Sequence, residues 1–332
     1  MDGFPRNATV FAPAATGDGA LGSLSRAEQE MQHTLKSAID CVGTGLHTGA
    51  RVALALRPAP AGHGIVFRRR DLGIDIPARY DLVGDTRLCT VLAHPTIAEA
   101  RVGTVEHIMA ALAATGITNA VIEVDGPEIP ILDGSAANFV FLIDCAGTVA
   151  QDAAQPAIAV ARPVRVDGPD GAWAELLPPA PGVAGLDAHI SIDFDVAAIG
   201  AQELLLHVTG AGFRRELANA RTFALRGDVE ALQASGLARG GSLDNAVVVD
   251  GDRVLNPAGL RMQGEFVRHK LLDMVGDLAL GGALLHAKLR ANRPGHALNN
   301  HLLRALFADD ANWRQVEGVS IEPGWPRLVA HG

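Results

Sequence analysis

Three short stretches of this sequence carry residues whose types and spacing could do chemistry. In Glu265-Phe266-Val267-Arg268-His269-Lys270-Leu271-Leu272-Asp273-Met274-Val275-Gly276-Asp277 a histidine and a carboxylate stand four positions apart. On a helix that spacing puts His269 and Asp273 on one face, where they can take two positions on one metal ion. Asp277 follows one turn later on roughly the same side, and Leu271, Leu272, Val275 and Leu278 supply a core face. Taken alone, such a pair is more often a salt bridge or a solvated polar face. A catalytic zinc site needs a third protein ligand, an open position for water and a carboxylate close enough to take its proton.

The second stretch, Val105-Glu106-His107-Ile108-Met109, offers both missing parts. His107 is the candidate third ligand and Glu106 the candidate base. Their apolar neighbours predict that the pair lies against the protein, although a Glu-His dipeptide by itself is usually a helix start followed by a core histidine. The third stretch is Arg293-Pro294-Gly295-His296-Ala297-Leu298-Asn299-Asn300-His301. Gly295 is read as the turn before a helix, which places His296 at a helix N-terminus facing a cleft. A protonated histidine there could stabilise an oxyanion or protonate a leaving amine. The helix end tends to lower its pKa, so a carboxylate such as Asp277 would be needed to keep it charged. Two further segments stand out. Arg221-Thr222-Phe223 sets a hydroxyl beside a large aromatic ring. Gly43-Thr44-Gly45-Leu46-His47-Thr48-Gly49 is a glycine-dense turn holding a histidine. No Gly-Lys-Ser/Thr follows it, so it is not a phosphate-binding P-loop, and a hairpin turn is the plain alternative.

The elements that must position these groups can be read from periodicity. Arg51 to Arg57 alternates before meeting Pro58 and Pro60, and Gly64 to Arg68 reads as the next strand. Thr104 to Ala114 has a helical pattern, with Thr104 as N-cap and Gly116 as stop. Asn119 to Val124 reads as a strand, and Asp133-Gly134-Ser135 opens a second helix. A weakly patterned stretch at Thr148 to Pro156 reads as a boundary. Strands follow at Ala157 to Val166, His189 to Phe194, Asn245 to Val249 and Gly282 to Leu289. Helices are predicted at Asp228 to Ser235, Glu265 to Ala279 and Leu298 to Phe307. Each half thus runs strands first and helices after, which predicts an α+β fold of two layered domains, each a sheet packed on helices. The expected division is a disordered extension over 1–32, an N-terminal domain over 33–154, a C-terminal domain over 155–310 and a tail over 311–332.

Bulk properties narrow the function classes. The chain has 332 residues, 48% hydrophobic and 20% charged, which fits a globular protein of two domains. A formal net charge of −9 argues against nucleic acid as a partner. Cys41, Cys89 and Cys145 are too few and too scattered for a disulfide framework, which predicts a reducing, cytoplasmic setting. No apolar run is long enough to span a bilayer, and the first 24 residues lack the pattern of a signal peptide.

Taken together, the segments closely resemble the UDP-3-O-acyl-N-acetylglucosamine deacetylases of Gram-negative bacteria. The resemblance rests on TGLHTGARVALALRPAPA, DTRLCTVL, TVEHIMAALAATGITNAVIEVDGPEIPILDGSA, ARTFAL, LARGGSLDNAVVV, EFVRHKLLDMVGDLAL and PGHALNNHLL, which run in order from Thr34 to about Phe307. It implies a Zn2+ ion held by His107, His269 and Asp273, Glu106 as general base and His296 as general acid or oxyanion stabiliser. It further implies that Thr222 helps hold the tetrahedral intermediate, that Asp277 pairs with His296, and that Lys270 binds substrate. Phe223 and the segment from Leu225 to Ala246 would line the passage for the acyl chain. Cys89 matches the family's cysteine near the metal, and His47 falls in the matched turn as a further substrate-binding candidate. The family fold has two similar α+β sandwiches with the active site between them. The implied reaction removes the N-acetyl group from a UDP-linked acylated glucosamine, the committed step of lipid A biosynthesis, in a cytoplasmic monomer with at most peripheral membrane contact. Rival readings are a zinc amidase acting on another N-acyl sugar and a sugar-nucleotide binder without activity. A binder has no need of Glu106, His107, His269, Asp273 and His296 together.

Overall fold

The computed structural model describes residues 3–5, 7–12, 31–181 and 183–316. The first half builds a five-stranded sheet in the spatial order Ile39–Thr44, Arg51–Pro58, Ala120–Val124, Ile65–Arg69, Ile74–Pro77. Alternation decides its two faces. Register sets Leu56, Ile122, Phe67 and Ile76 in one row across four strands, and all four are buried. The opposite face carries a ladder of alternating charge. Arg57 lies 3.4 Å from Asp40 and 3.1 Å from Glu123, and Arg68 lies 3.9 Å from Glu123 and 2.6 Å from Asp75. Two helices belong to this half, α1 at Glu106–Ala114 and α2 at Ala137–Ala146.

The second half builds the larger sheet. Its main path runs Thr9–Phe11, Ala201–Val208, Leu186–Asp193, Leu284–Asn292, Ala157–Val160, Trp313–Gln315, and Trp173–Leu177 joins through Leu284–Asn292. Its helices are α3 at Gly210–Glu216, α4 at Arg226–Ala234, α5 at Glu265–Ala279 and α6 at His296–Phe307. Helix α4 lies in a small separate unit with the strands Phe223–Leu225, Val247–Asp250 and Arg253–Val254, and buries none of its residues. The whole is a mixed α+β structure of sheets and helices, as the order of the sequence patterns predicts.

Helix α5 is buried on nearly every side, polar residues included. Its buried charges are met by partners: Glu265 holds Arg221 at 2.8 Å and Arg268 holds Glu216 at 2.7 Å. The helix crosses α1 so closely that a Cβ built on Gly276 would overlap the Glu106 carbonyl and lie 3.1 Å from the Ala110 nitrogen. Only glycine permits that approach, and it joins the two helices that carry the candidate ligands. Among the described residues no helix is long and apolar enough to cross a membrane.

Several boundaries depart from expectation. Residues 9–11 of the expected disordered extension form an edge strand, paired in parallel with Gln202 to Leu204. Phe4 stacks on His189 at 3.9 Å between ring centres. Isolated apolar residues in an Ala/Gly-rich stretch give no periodic signal, so partners supplied by the distant sheet could not be read. The rest of that extension, 13–30, lies outside the described residues. The tail likewise begins with structure: Trp313–Gln315 pairs with Ile158 to Val160, and residues 317–332 lie outside the described ones. Thr148–Ala154, read as a weakly patterned boundary, is a strand paired with Met31–Leu35. It is mostly exposed, and backbone pairing needs no alternation of side chains.

Candidate active site

Helices α1, α5 and α6 deliver their polar residues to one cavity of about 100 Å³, lined among others by Cys89, Glu106, His107, Thr222, Phe223, His269, Lys270, Asp273 and His296. The local sequence explains the placement. His269 and Asp273 share a face of α5 by their spacing. Glu106 and His107 are the first two residues of α1, and His296 is the first of α6.

His107, His269 and Asp273 present one ligand atom each within 4.8 Å of one another, and all three are buried. Asp273 Oδ1 lies 3.5 Å from His107 Nε2 and 3.3 Å from His269 Nε2. That oxygen is buried and makes no hydrogen bond among the described residues. A buried carboxylate oxygen without a donor is costly, and a cation between the three groups removes the cost. His269 Nδ1 donates to the Ala220 carbonyl at 3.0 Å, which leaves Nε2 as the lone-pair nitrogen. Burial pulls the His269 pKa down to about 4, against the pull of Asp273, so the ring is neutral and fit to ligate at neutral pH. The three residues form a group that could hold a metal ion, with His269 and Asp273 on one helix face as their spacing predicts.

Next to the group stands a chain of acid–base residues. Glu106 is fully enclosed, and burial pushes its carboxyl pKa up, opposed by His296 and His107. Its Oε2 accepts from the Thr90 backbone N–H at 3.0 Å, and its Oε1 lies 3.8 Å from His296 Nε2. His296 Nδ1 donates to Asp277 Oδ2 at 2.9 Å. Burial works against charge on His296, yet Asp277 and Glu106 outweigh it and raise its pKa to about 9. The arrangement therefore sets a carboxyl group of raised proton affinity beside a histidine that two carboxylates favour in its charged form, a pair suited to acid–base chemistry.

The remaining predicted residues fall into place unevenly. Thr222 lines the cavity, and its hydroxyl makes no hydrogen bond among the described residues. Lys270 Nζ lies 3.3 Å from Asp273 Oδ2 and 5.6 Å from the centre of the Phe223 ring. Phe223 packs edge-on to Phe266 at 5.0 Å. Cys89 lines the cavity, and burial, with Glu106 nearby, pushes its thiol pKa strongly upward. Asp277 sits behind His296, outside the lining. His47 does not line the cavity either; its neighbour Leu46 does. The His47 backbone N–H instead donates to Glu128 at 2.8 Å, within the tip of the hairpin between Ile39–Thr44 and Arg51–Pro58.

Sequence reasoning did not single out Thr90, Leu88, Glu128, Ile131 or Asn299, and it read Thr104 only as a helix cap. Thr104 was expected to cap α1, but it has φ 58° and its hydroxyl reaches Glu128 at 3.3 Å. Asn299 donates to Asp277 Oδ2 at 2.8 Å. Gly295 has an extended backbone that any residue could adopt, and the left-handed turn before α6 falls on Arg293, at φ 52°.

Comparison with known proteins agrees with this geometry. Residues 32–308 match the model of the family described as LpxC, UDP-3-O-acyl N-acetylglycosamine deacetylase. A UDP-3-O-acyl-N-acetylglucosamine deacetylase of Idiomarina loihiensis is 50% identical over 289 residues, covering 86% of this chain and 92% of the relative. One from Anaeromyxobacter sp. is 48% identical, covering 87% and 92%. One from Photobacterium profundum is 44% identical over 306 residues, covering 90% and 98%. With a match that takes in α1, α5 and α6 and every residue lining the cavity, the chain belongs to the UDP-3-O-acyl N-acetylglycosamine deacetylase family.

Proposed function

We propose that this protein removes the N-acetyl group from a UDP-3-O-(3-hydroxyacyl)-N-acetylglucosamine, releasing acetate and the free amine at the committed step of lipid A biosynthesis. The observation that carries the reading is the buried, unpartnered Asp273 Oδ1 facing two histidine nitrogens, beside a carboxylate and a charged histidine. His107, His269 and Asp273 fit zinc in ligand type and number. When bound, zinc supplies a Lewis acid that lowers the pKa of water and polarises the amide carbonyl.

The chain's own groups divide the remaining work. Glu106 takes the proton of the attacking water through Oε1, since Thr90 occupies Oε2. His296, held charged by Asp277, donates from Nε2 toward the developing oxyanion, and the uncommitted Thr222 hydroxyl supplies a second donor. Nε2 and Oε1 face each other across 3.8 Å, so the departing nitrogen can be protonated from either. Lys270 meets the negative charge of the substrate, and Phe223 offers an apolar wall toward the acyl chain. The cavity of about 100 Å³ receives the acetamide end of the substrate.

Two domains dividing near residue 155 suit this reading, with base and one ligand from the first and acid and two ligands from the second. A monomer acting in the cytoplasm of a Gram-negative cell, in peripheral contact with membrane, completes it. The test is metal content and deacetylation of the UDP-linked acylated substrate, for wild type and His269→Ala together. About one zinc per chain, lost together with activity in the variant, supports the site. Turnover by metal-free protein overturns it, and a metal-loaded protein inert on this substrate moves the search to another N-acyl sugar.

A further inference from the structure

Thr90 lies between Cys89, in the cavity wall, and the strand Val91–Ala93, and it is 2% exposed. All of its polar groups are spent on the acid–base machinery. Its N–H donates to Glu106 Oε2 at 3.0 Å. Its carbonyl accepts from Val105, the N-cap residue of α1, at 3.3 Å. Its hydroxyl donates to Asp277 Oδ1 at 2.5 Å, across 187 positions of sequence. Asp277 in turn holds His296 and Asn299 through its other oxygen.

We propose that Thr90 is a positioning residue that ties the base on α1 to the acid on α6 by fixing the carboxylate of Asp277. This rests on the reading that Glu106 is the base and His296 the acid. The argument is geometric. Asp277 Oδ1 has no other hydrogen-bond donor among the described residues, so the Thr90 hydroxyl is the contact that holds this end of the carboxylate, while Asn299 steadies the other end beside His296. Held in this way, the carboxylate aims Oδ2 at His296 Nδ1, which turns Nε2 toward Glu106 and the cavity. A side chain placed only to satisfy buried polar groups would leave turnover alone once the fold survives. One that sets the attack geometry changes kcat and leaves KM, because small misplacements of a proton donor are felt in the chemical step.

The test uses the full-length, metal-loaded protein and the UDP-linked acylated substrate. Thr90→Val removes the hydroxyl and keeps the shape and the backbone bonds to α1. Its kcat is expected to fall by about tenfold or more, a part of what a lost acid or base costs, with KM and metal content within about twofold of wild type. Thr90→Ser restores most of the loss. In an Asp277→Asn background Thr90→Val costs less than about twofold more, since both act through one bond and their effects do not add. An unchanged kcat in Thr90→Val, a loss that multiplies with Asp277→Asn, or a serine variant as slow as the valine one overturns the proposal. Should the valine variant fail to fold, Thr90→Ala carries the same comparison. Glu106→Gln and His296→Ala run alongside. If they retain wild-type kcat, the acid–base reading itself has failed; if they are inactive while Thr90→Val is unaffected, only the positioning role falls.

Discussion

Helices α1 and α5 each bring a histidine to the same cavity, but they hold it differently. On α5, the Ala220 carbonyl fixes the ring of His269 from behind, and Asp273 follows one turn on. On α1, His107 is equally buried, yet its Nδ1 has no partner among the described residues. The first helix is aligned from outside instead, through Thr90 at its entry and the close crossing at Gly276. A site formed by two halves of a chain can thus be rigid on one side and indexed to it on the other. The α5 side is organised by its own hydrogen bonds, and the α1 side by contact with α5.

The largest break in this comparison comes from the α1 side. Glu106→Gln keeps the shape and the Thr90 contact but removes the base, and turnover should fall by roughly 10²–10⁴. Metal content should match wild type, measured by elemental analysis. A fully active, metal-replete variant would remove Glu106 from the mechanism. On the other side, Asp277→Asn keeps the size of the side chain but takes away the charge that holds His296 protonated. The raised His296 pKa of about 9 means that the charged form is present below that value and lost as pH rises through it. The alkaline limb of kcat should therefore start near pH 9 in wild type and move toward the ordinary histidine value near about 6.5 in the variant. A limb that stays in place would mean that another group titrates there.

Gly276→Ala tests the joint between the two sides. The new methyl group meets the Glu106 carbonyl, so a loss of about 1–3 kcal/mol in denaturant unfolding is expected from overpacking, together with a fall in kcat as α1 shifts. Unaltered stability would show that the helices can slide apart. The smallest effect is the freedom of one ring. After the metal is removed by a chelator, His107 should show exchange-broadened imidazole resonances while His269 stays sharp on its carbonyl anchor. Equal sharpness of both rings would erase the difference between the helices.

Local pattern made α5 legible, because its apolar and ligand positions repeat with the helical period and both ends match the observed Glu265–Ala279. The candidate ligands came through spacing and resemblance together, since His107 is 162 positions from His269 in sequence and no periodicity relates them. What stayed hidden has one cause. Thr90, Glu128 and Asn299 act through contacts with other parts of the chain that no local pattern reports, and a lone threonine in a loop reads as a turn residue. His47 is a different case: its ring lies outside the cavity lining and has no hydrogen bond among the described residues, while its backbone N–H is held by Glu128. Thr104 misled for a related reason, as a hydroxyl before a helix usually caps it, and here a left-handed backbone sends that hydroxyl to a buried carboxylate.

The short strand Thr9–Phe11 has a consequence for handling the protein. It pairs with Gln202 to Leu204 on the edge of Ala201–Val208, and Leu205 stands exposed just beyond that pairing. A bare edge with an apolar residue upon it is a template on which another molecule can add a strand. A version trimmed to the family-matched region would bare the backbone groups of Gln202 to Leu204 that residues 9–11 now pair, and would move the sheet's open edge onto the strand that carries Leu205.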